Sequence, residues 1–392
     1  MPKHIAIIEP VWTHYRYPVY CELARQCRVD WIFSPAPPSE GFGRITPPPT
    51  TSLRYIEARM RRPFGHTLGF WQTGILRYLV RERPDAVMFS ANPRSLSFWM
   101  TLFAGRILGI PVYAHGHGMR RRSRIPRLYR QMMALLLRLA AGYIAYSPAV
   151  RDYFAACRFP VRKVQVANNS IINPCRLAPN QKTGSERVVL FLGRLRRNSR
   201  VESLLGAVQR LREEGHSMEL HIVGEGEDRQ RLQAIYGGLH WVHWYGEVYD
   251  PARVREISRA CFAGCHPGPA GLSVVHMMSL SLPVLVRDGL PQHGPEVAMV
   301  RDWNNGIRYG EGRPVAVIDE ALATIAGDAT RLRQMQAAAY NSYLDLTAPS
   351  LAIQLSRILL KQLDRAEVLQ FHQTAIALPP PPADRRMDVA AE

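Results

Sequence analysis

The sequence predicts an α/β chain made of two units, each built on a mainly parallel sheet. Three observations predict it. Short aliphatic runs alternate with helix-length amphipathic segments, the pattern of parallel strands joined by helical crossovers. The alternation lapses between about residues 168 and 186, where polar residues, Pro and Gly prevail, and resumes at Val188. At 392 residues the chain is also too long for one ordinary core and fits two domains of common size.

In the first unit, His4-Ile5-Ala6-Ile7-Ile8 is a strand, and Pro18 suits the first turn of a helix through Val19, Leu23 and Ala24. Val29 to Phe33 is a second strand. Pro35 to Thr51 is rich in Pro, Gly, Ser and Thr; an irregular segment of that length inside a domain is functional or mobile. Trp71 to Val80 reads as a helix, Pro84 to Phe89 as a buried strand and Ser95 to Leu108 as a helix. Pro111 to Ala114 is the next strand, and it ends in His115-Gly116-His117-Gly118. Ligands of open parallel sheets sit at the carboxyl ends of the strands, so a site is expected at these histidines. His117, between two glycines, is the stronger candidate; His115 is expected to face the other side. Tyr143 to Ser147 and Val164 to Ala167 close the unit as short strands.

The second unit opens with Val188 to Leu192, running into Gly193-Arg194-Leu195. Val201, Leu204, Leu205 and Val208 then recur at helical spacing. Met218 to Val223 and Trp241 to Tyr245 are further strands, with helices from Asp228 to Ile235 and from Asp250 to Ala260. Next comes a Gly- and Pro-rich turn from Gly264 to Gly271, a short apolar helix from Leu272 and the buried strand Pro283 to Val286. A glycine turn that delivers a helix start is a natural seat for phosphate, because backbone N–H groups and the helix dipole both favour negative charge. Pro349 to Arg365 is a last amphipathic helix, and the Pro-rich remainder reads as a disordered tail.

Composition narrows the function classes. Hydrophobic content of 47% and charged content of 21% are globular, and no apolar run reaches the length needed to span a bilayer. The amino terminus reads as a strand, not a signal peptide, so a cytoplasmic protein is expected. Six scattered cysteines argue against a disulfide framework, and Cys261, Cys265 and His266 lack a second ligand pair at zinc spacing, so no metal is expected. The net charge of +18 attracts polyanions of several kinds. No nucleic-acid motif or aromatic-basic platform accompanies it, so nucleic acid is not expected as a partner. Arg120, Arg121, Arg122, Arg124, Arg127 and Arg130 precede an apolar helix ending near Leu137. That 120–137 region fits either a surface docking on anionic lipid at the inner face of the plasma membrane or a helix with a solvated basic start.

Five segments of the second unit occur in one order: Phe191 to Leu195, His221 to Glu227, Tyr245 to Val248, Gly271 to His276 and Leu282 to Val284. Together they resemble the donor-binding half of retaining glycosyltransferases of the GT-B fold, the group 1 or family 4 class. His293-Gly294-Pro295-Glu296 and Asn305-Gly306 extend the likeness, and Tyr15 to Pro18, Gly116 to Gly118 and Ala167 to Asn169 carry it more loosely into the first unit. The resemblance implies two Rossmann-like domains: an acceptor-binding domain at 1–170, a linker at 171–186 and a nucleotide-sugar domain at 187–348. A helix at 349–370 would return towards the first domain, before a tail at 371–392.

The implied activity is transfer of a hexose or deoxyhexose from a nucleoside-diphosphate sugar, with retention, without metal or other cofactor. Given the basic, apolar 120–137 region, the expected acceptor is a lipid-linked or growing envelope glycan such as a lipopolysaccharide. Arg194 and the amides of Gly271, Leu272 and Ser273 would hold the diphosphate. Gly224 and Gly226 would admit close approach near the nucleotide, Gly246 and Val248 would line the base pocket, and His117 would face the reacting sugar. His14 and Arg16, after the first strand, are candidates for acceptor contact or solvated residues.

The family's usual pair of glutamates bracketing the phosphate loop is absent: Gly268 and His276 stand there, and no carboxylate lies between Glu256 and Asp288. The usual Lys after Gly-Arg-Leu falls on Ser199, beside Arg200, and Arg200 or Arg197 is a substitute cation. His276 is either a neutral partner of a ribose hydroxyl or a core histidine. Glu296 is the nearest carboxylate after the loop, and is either a catalytic group or a helix cap. Asn168 and Asn169 read as hinge turn residues. The missing glutamates leave a second function open, a catalytically inactive nucleotide-binding scaffold of another transferase.

Overall fold

Residues 3–35, 52–62, 69–118, 126–184, 187–290, 292–310 and 312–360 are described by a computed structural model. Most of the Pro-rich segment up to residue 51, the basic run at 120–124 and everything after residue 360 lie outside the described residues.

Two parallel sheets form the frame. The first is built from β1 (His4–Val11), β2 (Arg28–Ser34), β3 (Leu53–Glu57), β6 (Ala86–Ser90), β7 (Val112–Gly116), β8 (Gly142–Ala145) and β9 (Val164–Val166). A minor antiparallel pair, β4 (Met60–Arg61) and β5 (Trp71–Gln72), stands apart. The strand order is β3-β2-β1-β6-β7-β8-β9. The second sheet contains β10 (Val188–Leu192), β11 (Glu219–Val223), β12 (Val242–Gly246), β13 (Cys261–His266), β14 (Val284–Arg287) and β15 (Gly306–Tyr309), ordered β12-β11-β10-β13-β14-β15. This is the expected α/β class.

Aliphatic runs become central parallel strands because helices cover both faces of the sheet. Every residue of β10 and of β13 is buried. Each sheet separates two apolar clusters. Phe191, Leu204 and Leu322 belong to one face of the second sheet, and Leu190, Val274 and Met278 to the other. In the first unit, Phe89, Phe98 and Leu136 pack on one face, and Ile7, Tyr20 and Trp31 on the other. That last cluster also takes Leu351, Leu355 and Leu359 from the helix Leu351–Leu359, so the chain's final described helix packs into the first unit. The connecting stretch is no loose tether. Leu177 is fully buried against the second unit, and Lys182 donates to the carbonyls of Ser258 and Cys261 at 2.9 Å each.

Three local expectations are corrected. The turn expected from Gly264 begins only after His266, because Gly264 to His266 are the buried end of β13. Trp71 and Gln72 are a short strand, and the helix begins only at Ile75, after Gly74 with φ +83°. Gln72 is held by its fully buried polar contacts: its N–H donates to Ser97 Oγ at 2.7 Å and its side chain to the Glu9 carbonyl at 2.8 Å. An edge strand at Leu53–Glu57 was also invisible to periodicity, since only Leu53 of its five residues is buried.

Candidate active site

In each sheet the strand order reverses once, between β1 and β6 in the first and between β10 and β13 in the second. A crevice opens at the carboxyl ends of the strands beside such a reversal. β1 leads to His14–Arg16, β7 to His117, β10 to Gly193-Arg194 and β13 to the loop ending at Gly271. The two crevices face one another, as side-chain contacts across the units show.

A buried polar chain joins them. Arg16 is 3% exposed, and its Nη2 donates to Asn169 Oδ1 at 2.5 Å. Asn169 Nδ2 in turn donates to Glu296 Oε1. Behind Arg16 lies Glu9, at 3.9 Å from Nε, which also accepts from Tyr20 Oη at 2.9 Å and Trp31 Nε1 at 3.1 Å. Burial raises the Glu9 and Glu296 carboxyls above their usual range, and the Arg16 charge offsets part of that rise in both. Asn169 is therefore no mere turn residue, since its buried side chain bridges the two units.

Glu296 reaches the loop itself: a Cβ on Gly271 would lie 3.5 Å from Glu296 Oε2. The helix Leu272–Ser279 starts there without a side-chain cap, so its first N–H groups are left to whatever occupies the cleft. His293 fixes the loop from behind. Its Nδ1 accepts from Ala270 N–H at 3.0 Å, so Nε2 bears the proton and donates to the Arg287 carbonyl at 2.6 Å.

Rings line the walls. His14 stacks edge-on against Tyr249 at 4.7 Å. Burial pushes the His14 imidazole down to about 4, with help from the Arg194 charge. Burial likewise lowers His276 to about 4, and His14 is the neighbouring charge, so these two rings and Arg194 converge. His276 is thus at the cleft and neutral. His117 is open to the cleft, with its ring 4.5 Å from Tyr146, and its pKa falls to about 4 through desolvation and Arg16. His115 touches the same Tyr146 ring at 4.6 Å. The expectation that it faces away is wrong, because residues two apart in a strand share a face. Buried polar atoms without a protein partner among the described residues include His14 Nδ1, Arg16 Nη1 and His115 Nε2. Such atoms are rare in folded proteins and mark places where a ligand or water completes the bonding.

The glycines sit differently from expectation. Gly224 and Gly226 approach the protein's own backbone: a Cβ would lie 1.8 Å from the Gly193 carbonyl oxygen and 2.2 Å from that of Leu195, respectively. They close the β11 loop onto the Gly193–Leu195 loop, where Leu195 N–H donates to the Glu225 carbonyl at 2.9 Å. Gly246 ends β12 with φ +71°, and Val248 is half-buried beyond it. At Gly268 a Cβ would lie 2.1 Å from the Asn198 carbonyl oxygen, so no side chain fits where the family pattern has its first glutamate. Ser199 is buried and donates to the Arg194 carbonyl at 2.6 Å, which shapes the Arg194 turn but supplies no cation. Arg197 and Arg200 are exposed, and Arg200 adopts φ +53°.

Sequence reasoning missed Asn169, Tyr146 and Tyr249. Only His115 carried a readable signal, its two-residue spacing from His117.

Comparison with known proteins agrees with the fold. One family profile, described as glycosyl transferases group 1, matches residues 186–327, and another, glycosyltransferase family 4, matches residues 19–172. No curated sequence relative matches the chain. Among solved structures, HepE of Anabaena in complex with UDP is similar with a TM-score of 0.64 at 14% identity, over 94% of this chain and 100% of that one. The lipopolysaccharide outer core galactosyltransferase WaaB, in its apo form, gives 0.64 at 16% identity, over 92% and 100%. The pneumococcal O-GlcNAc transferase GtfA, in complex with UDP and GlcNAc, gives 0.68 at 9% identity, over 94% and 99%. With both halves matched and two facing Rossmann-like units, the chain belongs to the group 1, family 4 glycosyltransferases of the GT-B fold.

Proposed function

We propose that this chain transfers a hexose or deoxyhexose from a nucleoside-diphosphate sugar, with retention and without a metal in the transfer step, to a lipid-linked or growing envelope glycan. One observation carries the reading: Arg194 and the uncapped helix start at Gly271 stand across the cleft from partnerless Arg16 Nη1 and His14 Nδ1. Arg194 and the amides of Gly271, Leu272 and Ser273 bind the diphosphate and stabilise it as it leaves. His276, neutral at physiological pH, bonds a ribose hydroxyl, and Gly246 and Val248 border the base. Glu296, oriented by Asn169 and Arg16, takes the donor-sugar contact that Gly268 cannot make. His117 and Arg16 face the reacting sugar and the acceptor.

An envelope acceptor is supported by the helix Arg127–Leu139, which exposes Leu128 and Leu135 among Arg127, Arg130 and Arg138. Neighbouring Phe103 and Ile107 on the helix Leu96–Leu108 are exposed as well. Apolar residues set among cations suit an anionic lipid surface at the inner face of the plasma membrane. Among the described residues no helix is long and apolar enough to cross a membrane. The bound UDP and sugars of HepE and GtfA make uridine the first base to test.

The test follows nucleotide release by NMR with a panel of UDP-, GDP- and dTDP-sugars and a lipid-linked acceptor. Release of one nucleoside diphosphate is expected, and absence of both turnover and binding refutes the reading. A second reading, an inactive scaffold, is favoured by the closed space at Gly268 and the buried Ser199. Tight nucleotide binding without turnover in the presence of acceptor decides for it.

A further inference from the structure

The outer edge of the second sheet holds a cluster that the transfer reaction does not use. Glu219 and His221 lie on β11, and His243 lies on the edge strand β12. Parallel pairing sets His221 opposite His243, and the two-residue period of a strand puts Glu219 on the face of His221. One donor atom from each lies within 4.8 Å of the others. His243 Nε2 is 3.0 Å from Glu219 Oε2, and the two imidazoles are 5.1 Å apart with their planes at 85°.

His221 is prepared for a ligand's role. Its Nδ1 faces the Ile257 carbonyl at 3.3 Å, so a proton on Nδ1 is held there and Nε2 keeps a lone pair. A backbone carbonyl on the second ring nitrogen is the usual support of a metal-binding histidine. The Tyr245 hydroxyl, 3.4 Å from Nε2, is the group an ion displaces. Cys261 Sγ lies behind the ring, 3.7 Å from Nδ1 and on the side away from the coordinating Nε2.

We propose that Glu219, His221 and His243 bind a zinc-class divalent ion, with solvent at the remaining position. Two imidazoles and one carboxylate match Zn²⁺, whereas Mg²⁺ and Ca²⁺ prefer oxygen ligands throughout. The cluster sits at the start of β11, away from the strand ends that form the cleft. The ion acts as a clip between β11 and β12, whose far end leads into Gly246 and Val248.

The experiment titrates ZnCl₂ into the chelator-treated full chain by calorimetry, with thermal shift as a second readout. One ion per chain and a raised Tm are expected. His243→Gln and Glu219→Gln should each weaken binding by about tenfold or more, the loss that even an outer-shell partner produces. Both side chains are substantially exposed, at 40% and 46%, so these variants keep the core intact. No zinc uptake by the parent chain overturns the proposal. So does unchanged affinity in both variants, or magnesium binding as tight as zinc.

Discussion

The two units reach the cleft by the same topology and furnish it with opposite chemistry. In the second, the strand-order reversal delivers backbone amides at Gly271 and the guanidinium of Arg194. In the first, it delivers rings, His14, Tyr15, His117 and Tyr146, around a single buried cation, Arg16. Anion binding needs oriented N–H groups and fixed charge, which loops closing onto helix starts provide. Hydroxyl recognition needs neutral groups that both donate and accept, and burial makes such groups out of histidines. On the proposed reading the second half holds the leaving group, and the first half's rings meet Glu296 of the second around the sugar and acceptor.

The strongest test of the second half is Gly224→Ala. The new methyl would overlap the Gly193 carbonyl, at a φ of +147° that side chains rarely adopt. A loss of about 3 kcal/mol or more is expected by urea denaturation, with nucleotide binding lost alongside it. A stable, binding-competent variant would mean that the two loops are not locked together.

Asn169→Ala attacks the link between halves. It strips Glu296 of its side-chain partner and Arg16 of the Asn169 Oδ1 contact, leaving buried polar groups short of a hydrogen bond. Destabilisation of about 2–3 kcal/mol is expected by thermal and chemical unfolding. Turnover should fall more than nucleotide affinity, because the proposed diphosphate contacts, Arg194 and the Gly271 amides, lie elsewhere. Equal losses in both would place Asn169 in nucleotide binding instead.

Arg194→Ala and Arg200→Ala sharpen the contrast within one loop. Arg194 is half-buried at the end of β10, while Arg200 is exposed. Losing Arg194 should weaken UDP binding by about 1.5–3 kcal/mol, the range of a charged hydrogen bond, and losing Arg200 by about 0.5 or less. Thermal shift with UDP, GDP and dTDP reads both. A larger effect at Arg200 would restore it as the substitute for the missing lysine.

These contrasts show what the chain declares openly. Parallel strands such as Val188–Leu192 are continuous apolar runs, and their buried surroundings follow from the pattern alone. The loop that delivers a helix start at Gly271 was legible because it is local: the two are adjacent in sequence. Asn169 was not, since its partners Arg16 and Glu296 are 153 and 127 residues away. Polar side chains carry no periodicity that reveals such meetings. Gly268 was visible only as an absence of glutamate. Its cause, the Asn198–Ser199 backbone pressed against it, needs three dimensions.

The smallest expected effect concerns acid, and it separates rings from carboxyls. His115 is 2% exposed and His266 5%. Desolvation holds His115 well below 6.5 and His266 at about 4. Both are neutral when folded, whereas the unfolded chain protonates them near 6.5. Their contribution to stability is therefore full above pH 6.5 and is lost as the pH falls towards 4, by at most about 1.4 kcal/mol per ring for each pH unit. Glu9 and Glu296 act in the opposite sense, because their raised pKa values let the folded chain take up protons first on acidification. The acid response is the difference between these two effects, and Glu9→Gln, which removes one carboxyl's offset, should steepen the loss of stability on acidification. Urea denaturation at several pH values reads it, and a Glu9→Gln slope no steeper than the parent's would show that Glu9 does not offset the rings.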